Sequence, residues 1–400
     1  MRRVALLCCL VCFFAFATHA AFDDCLVPSN QNTYEYMDCG IGVPAADEST
    51  GAVFHVRGYS SGALGIITKL QPSNLTVGDQ FGCSISIDTH LENQGFAVGA
   101  CGDGSLGRNA GAVYLCGLTG SWTECQAKYL GNASFPTTNA QFGTQVSMVG
   151  GDMVATSLFG YVKMFVWPNF NDPTNVVTEQ TFTTENFEAG GVNDEGWVMC
   201  GDIAADAVYF LGESTSDPSG LYSVQQKING PTGSSFGAFM RNSYPEATSL
   251  VGAPDKEPNG SVFVLESTST CTSECDCQDS TAFFCFQNSY EIPAPPGAYG
   301  QFGQHLLPSQ AGLWGVSSLG AVYHVEKNPQ GQLQVMGNIT VDYTDRMAYF
   351  VGFRPAPTGL LFGMVRQYMD DGSLKLYLAQ QQNSRSDWNV VSSLVIPTGN

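Results

Sequence analysis

Four groups of residues have the types and spacing that chemistry needs. Gly102-x-Gly104-x-x-Gly107 has the spacing of a dinucleotide-binding loop, whose glycines let backbone N–H groups close on a pyrophosphate. Asp88, Glu92 and Asn93, in "DTHLENQG", are the best oxygen set for a hard cation such as calcium. Cys271, Cys275, Cys277 and Cys285 crowd one segment, and clustered thiolates can hold zinc. Beyond the N-terminal segment, His55, His90, His305 and His324 are the imidazoles available as general bases.

None of these groups completes a reactive centre. A dinucleotide loop needs a helix behind it, and Gly102 to Gly107 lies between two runs of strand character, "FAVGAC" and "GAVYLC", so its glycines form a turn. Three spaced carboxylates are missing around Asp88. A polar hairpin is the plainer reading there, and no cofactor is expected beyond the weak calcium set Asp88, Glu92 and Asn93. Cys-x3-Cys-x-Cys-x7-Cys is not a common zinc spacing, and in an exported chain these thiols oxidise to two disulfides, with three connectivities open. His55 and His324 recur at one place in "GAVFHV" and "GAVYHV", which points to shared packing. The acidic pairs Asp23-Asp24, Asp194-Glu195 and Asp370-Asp371 read as solvated turns, and neither His-Glu-x-x-His nor Gly-x-Ser-x-Gly before a helix occurs. No catalytic residue is assigned, and the protein is expected not to be an enzyme.

The first 20 residues read as an export signal: Arg2 and Arg3, then the apolar run Val4 to Ala17, then "ATHA" with cleavage after Ala20. No later segment has the length and apolarity of a membrane span. Removing the signal leaves 14 basic against 36 acidic side chains, a net charge near −22. Such a charge repels phosphate backbones and excludes nucleic acid as a partner. The expected location is secreted, extracellular or at the cell surface, with disulfides. Asn74, Asn132, Asn259 and Asn338 begin Asn-x-Ser/Thr sequons and are candidate glycan sites.

The elements that carry these residues are short apolar or alternating runs between Gly, Asn, Asp and Ser turns, which is strand grammar. "FGCSISI", "FAVGAC", "GAVYLC" and "CQAKYL" follow one another, and the same order recurs along the chain. Third strands are expected to begin at Gly51, Gly111, Tyr161, Asp206, Gly260, Gly320 and Gly372, at intervals of 60, 50, 45, 54, 60 and 52 residues. Four strands per unit at this period predict an all-β fold, a seven-bladed β-propeller with four antiparallel strands per blade. The units span approximately 25–70, 79–130, 140–182, 186–228, 234–292, 300–340 and 344–396, as one domain over 21–400. Either "FDDCLV" or "SSLVI" closes the ring. In this frame Cys83 and Cys101 lie on adjacent first and second strands, Cys116 and Cys125 flank one hairpin, and both pairs come within bridging distance. Cys25 and Cys39 are the candidate staple of the N-terminal segment. Cys200 has no near neighbour and is the candidate free thiol.

Phe81-Gly82, Phe142-Gly143, Phe236-Gly237 and Phe302-Gly303, each followed by a second strand such as Val251-Gly252-Ala253-Pro254 or Val98-Gly99-Ala100, resemble FG-GAP repeats, the units of the integrin α-subunit head. The fourth and seventh units depart from the pattern at Phe187-Glu188 and Tyr349-Phe350. In that family, calcium sites place Asp-x-Asp-x-Asp-Gly between first and second strands, which no unit here does. The resemblance implies a partner face made of the loops between blades and between second and third strands. Candidate contacts are Asp103 to Arg108, Asp255, Lys256 and Glu257 up to Pro258, and the insert Cys271 to Cys285. The expected function is an extracellular binding or adhesion module that recognises a protein partner through loops on one end. The alternatives are a lectin-like carbohydrate-binding propeller or a non-catalytic scaffold of a surface complex.

Overall fold

In the computed structural model, the described residues are 24–25, 35–87, 95–117, 124–131, 133–134, 138–149, 152–158, 160–166, 178–182, 189–192, 198–213, 222–243, 248–268, 285–309, 313–342, 346–356, 358, 360–369, 373–382 and 387–396. Their strands fall into groups of four. The first holds β1 (Asp24–Cys25), β2 (Tyr36–Val43), β3 (Ala52–Tyr59) and β4 (Leu64–Leu70). The second holds β5 (Phe81–Ile87), β6 (Phe96–Ala100), β7 (Ala112–Cys116) and β8 (Cys125–Leu130), and the third β9 (Val146–Val149), β10 (Asp152–Thr156), β11 (Val162–Val166) and β12 (Thr178–Phe182). The fourth runs through β13 (Ala189–Val192), β14 (Val198–Asp202), β15 (Ala207–Glu213) and β16 (Tyr222–Asn229), and the fifth through β17 (Phe239–Ser243), β18 (Thr248–Ala253), β19 (Ser261–Thr268) and β20 (Cys285–Pro293). Then come β21 (Leu306–Ser309), β22 (Leu313–Leu319), β23 (Ala321–Lys327), β24 (Leu333–Thr340), β25 (Met347–Pro355), β26 (Leu361–Tyr368), β27 (Leu374–Gln381) and β28 (Trp388–Ile396).

The first five groups are separate antiparallel sheets with strands in chain order. The last eight strands form one sheet, because β22 pairs with β25 through Ser318↔Ala348 and Leu319↔Met347. The join falls where the incoming unit has Tyr349-Phe350 in place of Phe-Gly. Asp24–Cys25 supplies the first strand of the first sheet, so the described part of "FDDCLV" joins that sheet and not the last one. Each first strand packs against the first strand of the next group: β1 on β5, β5 on β9, β9 on β13, β13 on β17, β17 on β21, β21 on β25, and β25 back on β1.

The third strands begin one residue after Gly51, Gly111, Asp206, Gly260 and Gly320, as the spacing predicts. In the third group β11 begins at Val162, likewise one residue after the expected Tyr161, and the seventh expected start, Gly372, lies outside the described residues. A left-handed residue marks the turn ahead of each of these strands: φ is 88° at Gly51, 84° at Gly111, 49° at Asp206, 92° at Gly260 and 65° at Gly320, each immediately before its strand, and 73° at Gly160, two residues before β11. A tyrosine is poorly suited to that left-handed turn, whereas glycine adopts it without steric cost.

The core lies between the sheets. Val113 and Leu115 of β7 pack on Val146, Met148 and Met153 of the next sheet, whereas Ala112, Tyr114 and Cys116 of the same strand pack on Val53 and Leu70 of the previous one. Both faces of β7 are buried, which explains why "AVYLC" lacks polar alternation.

The Phe-Gly repeats have a common geometry. The residue before each phenylalanine accepts a hydrogen bond from the residue three further on: Cys83 N to Gln80 O at 3.2 Å, Thr144 N to Gln141 O at 3.1 Å, Ala238 N to Ser235 O at 3.0 Å and Gln304 N to Gln301 O at 3.1 Å. The glycine sits at the third position of this turn with φ of 92°, 89°, 95° and 96° at Gly82, Gly143, Gly237 and Gly303, as a type II turn requires. All four phenylalanines are buried. Each turn glycine also meets a glycine on the second strand of the preceding group. A Cβ on Gly42 would lie 2.0 Å from Gly82 O, one on Gly99 2.1 Å from Gly143 O, one on Gly201 2.1 Å from Gly237 O, and one on Gly252 1.9 Å from Gly303 O. The two glycines of the repeat are therefore halves of one backbone contact between neighbouring units. Where Thr156 and Ser317 stand at the second-strand position, the next group lacks Phe-Gly.

Candidate functional site

At one end of the scaffold, the turn between second and third strands locks onto the segment leading into the next group. Phe81 N donates to Thr50 O at 3.0 Å, Phe142 N to Ala110 O at 2.9 Å, and Phe302 N to Asn259 O at 2.9 Å. Asn109 and Asn139 join the same two segments through their side chains at 3.0 Å. Between the fourth and fifth groups, the Asp206 carboxylate accepts hydrogen bonds from Gly233 N, Ser234 N and Phe236 N. The two kinds of loop expected to form a partner face are thus adjacent and mutually braced.

The named loop residues divide by exposure. Arg108, Asp255 and Glu257 are exposed and Lys256 is half-buried. Lys256 pairs with Glu291 on β20. Asp103 is buried, with its carboxylate held by Lys128 on β8 and by the Ser105 backbone N–H at 2.9 Å. Burial opposes ionisation of Asp103, but the hydrogen bonds from Lys128 and Ser105 outweigh it and hold its carboxyl below the usual range. Asp103 therefore shapes its loop from within. The sequence does not distinguish it from Asp255, because the lysine that covers it comes from a later strand. Missed at the sequence level were three apolar side chains on the braced loops: Val77 at 68% exposure, Tyr299 at 57% and Leu158 at 43%. A single valine, tyrosine or leucine next to a strand gives no compositional signal of exposure.

The other candidates are placed as follows. Asp88, Glu92, Asn93, His90, Asn132, Cys271, Cys275 and Cys277 lie outside the described residues, and of Cys285 only the strand position is described. Among the described residues, no three His, Cys, Asp or Glu side chains converge as metal ligands. The pairs Cys25–Cys39, Cys83–Cys101 and Cys116–Cys125 are bonded, and Cys200 is a buried free thiol whose pKa is pushed up by burial. Cys101 lies just past the end of β6 and not within it. Three disulfides belong to an oxidising compartment. Among the described residues, no helix is long and apolar enough to cross a membrane. Asn74 and Asn338 are exposed and Asn259 is half-buried. His55 and His324 are both buried; His55 bonds Asp38 at 2.9 Å, and His324 meets the rings of Phe353 and Trp388. His305 is wedged between Phe239 and Tyr349, where burial and then Arg241 and Arg366 push its pKa well below that of a free imidazole.

Gly102, Gly104 and Gly107 lie in the turn between β6 and β7, with a strand and not a helix after them. Residues 66–116 match the FG-GAP repeat. That stretch carries Phe81-Gly82 and Gly99, so the family pattern falls on the unit whose glycine contacts are described above. No curated protein matches the chain. Among solved structures, a protein from Lactobacillus plantarum superposes with a TM-score of 0.59 at 11% identity, covering 88% of this chain and 94% of its own. A Bacteroides uniformis protein, provisionally assigned as a 6-phosphogluconolactonase, superposes with a TM-score of 0.56 at 11% identity, covering 91% of this chain and 100% of its own. At this identity the likeness concerns the fold, which is that of all-β, propeller-like chains.

Proposed function

We propose that residues 21–400 form one closed seven-bladed propeller, exported behind a signal of 20 residues, that binds an extracellular or cell-surface protein through the braced loops of one end. The cycle of first-strand contacts from β1 through β25 and back supports closure. The three disulfides and the FG-GAP repeat support an extracellular binding role. The observation that carries the reading is the set Val77, Leu158 and Tyr299, exposed on loops that hydrogen bonds hold in place. Apolar and aromatic groups on pre-ordered loops bind at low entropic cost, and flanking charges such as Arg108, Asp255 and Glu257 select the partner. The test is binding of the full mature chain to intact cells from its native source. Alanine at Tyr299, at Val77 with Leu158, at Arg108, and across Asp255, Lys256 and Glu257 is expected to weaken binding about tenfold or more in at least one set, as loss of an interface anchor does. Binding unchanged in all four sets overturns the assignment.

A further inference from the structure

An open groove of about 600 Å³ lies between the sixth and seventh groups. Its polar lining is Asn338 and Thr340 of β24, Gln382 just past β27, and Asp387 and Asn389 at or beside β28, with Trp388, Ile339 and Val390 as the apolar part. The polar residues and Val390 are exposed, Ile339 is buried, and Trp388 is half-buried with its ring against His324 at 6.0 Å between centroids. The Trp388 indole N–H finds no acceptor among the described residues. Asn338 donates to Thr340 Oγ1 at 3.0 Å, which fixes that side chain on its strand.

The composition of the wall narrows the ligand. Three primary amides and a hydroxyl offer both donors and acceptors at close spacing, as vicinal hydroxyl groups require. No lysine or arginine lines the groove and one carboxylate does, so phosphates and other anions are disfavoured. The largely polar wall does not suit an apolar ligand, whose sites are mostly hydrophobic. One indole beside this set offers an apolar face to the C–H side of a ring. We infer that the groove binds a neutral saccharide, with Trp388 as the stacking platform and Asn338, Gln382 and Asn389 as hydrogen-bonding groups. The sugar can come from outside or from a glycan carried on Asn338 itself, since Asn338-Ile339-Thr340 is a sequon.

Saturation-transfer NMR and calorimetry on the full mature chain test this with glucose, galactose, mannose and N-acetylglucosamine as probes. The chain is prepared once without N-glycosylation and once from a glycosylating host. The expected result is binding of at least one probe by the unglycosylated chain, weakened about tenfold by Trp388→Ala and largely kept by Trp388→Phe, as loss and retention of an aromatic contact predict. Asn389→Ala, an exposed position, is expected to weaken binding too and serves if Trp388→Ala fails to fold. If the glycosylated chain binds no probe while the unglycosylated chain does, the source is the chain's own glycan; if both bind, it is external. The inference is overturned if no probe binds the unglycosylated chain, or if Asn389→Ala and the folded Trp388 variants bind as tightly as the parent. Alanine at the loop residues tested above leaves saccharide binding unchanged, so the two readings fail separately.

Discussion

Replacing Gly252 by alanine tests whether paired glycines hold the units together. The added Cβ would sit 1.9 Å from Gly303 O, whereas a carbon–oxygen contact relaxes only at about 3.3 Å. The two backbones must separate by roughly 1.4 Å, the difference between those distances. Overpacking of this kind costs about 1–3 kcal/mol. The same separation strains the Phe302 N to Asn259 O hydrogen bond beside it, 2.9 Å long, and its loss adds about 1 kcal/mol. Gly252→Ala is therefore expected to destabilise by about 2–4 kcal/mol. Gly65→Ala on β4 is the chemically identical control: nothing lies within 4 Å of its Cβ, and its φ is outside the left-handed region. A compatible Gly→Ala change stabilises by about 0.4–1 kcal/mol, through lower entropy of the unfolded chain. Urea unfolding at fixed pH with disulfides intact, with midpoints compared at constant slope, measures both. A Gly252→Ala protein within about 0.5 kcal/mol of the parent, the range of neutral surface changes, would refute the glycine-contact account.

Two further outcomes follow from other parts of the fold. Asp38 is buried enough to resist ionisation, but hydrogen bonds from His55 and Arg57 outweigh this and lower its pKa. A depressed folded pKa contributes stability that is present above the unfolded value of about 3.9 and lost as pH falls through the folded value, so Asp38→Asn is expected to flatten the acid limb of the stability curve; an unchanged limb contradicts the pairing. Cys200, buried with a raised pKa, is expected to react with a thiol reagent only on unfolding, and rapid labelling of the native chain contradicts its place between the third and fourth sheets.

Much of this architecture is local and therefore legible in the sequence. A strand such as Ala112–Cys116 and the left-handed glycine before it are set by neighbouring residues, so spacing alone located most third strands. The three disulfides were legible because each pair lies within or beside adjacent strands of one sheet. Only the tertiary structure decided what happens between units. It brought Gly252 onto Gly303, joined β22 to β25, and set Asn338 across from Trp388. Contacts of this sort form between segments far apart in the chain, and the glycine pairs among them involve backbone alone. No pattern of side chains within one unit can encode which neighbour it meets, because that depends on how the sheets stack.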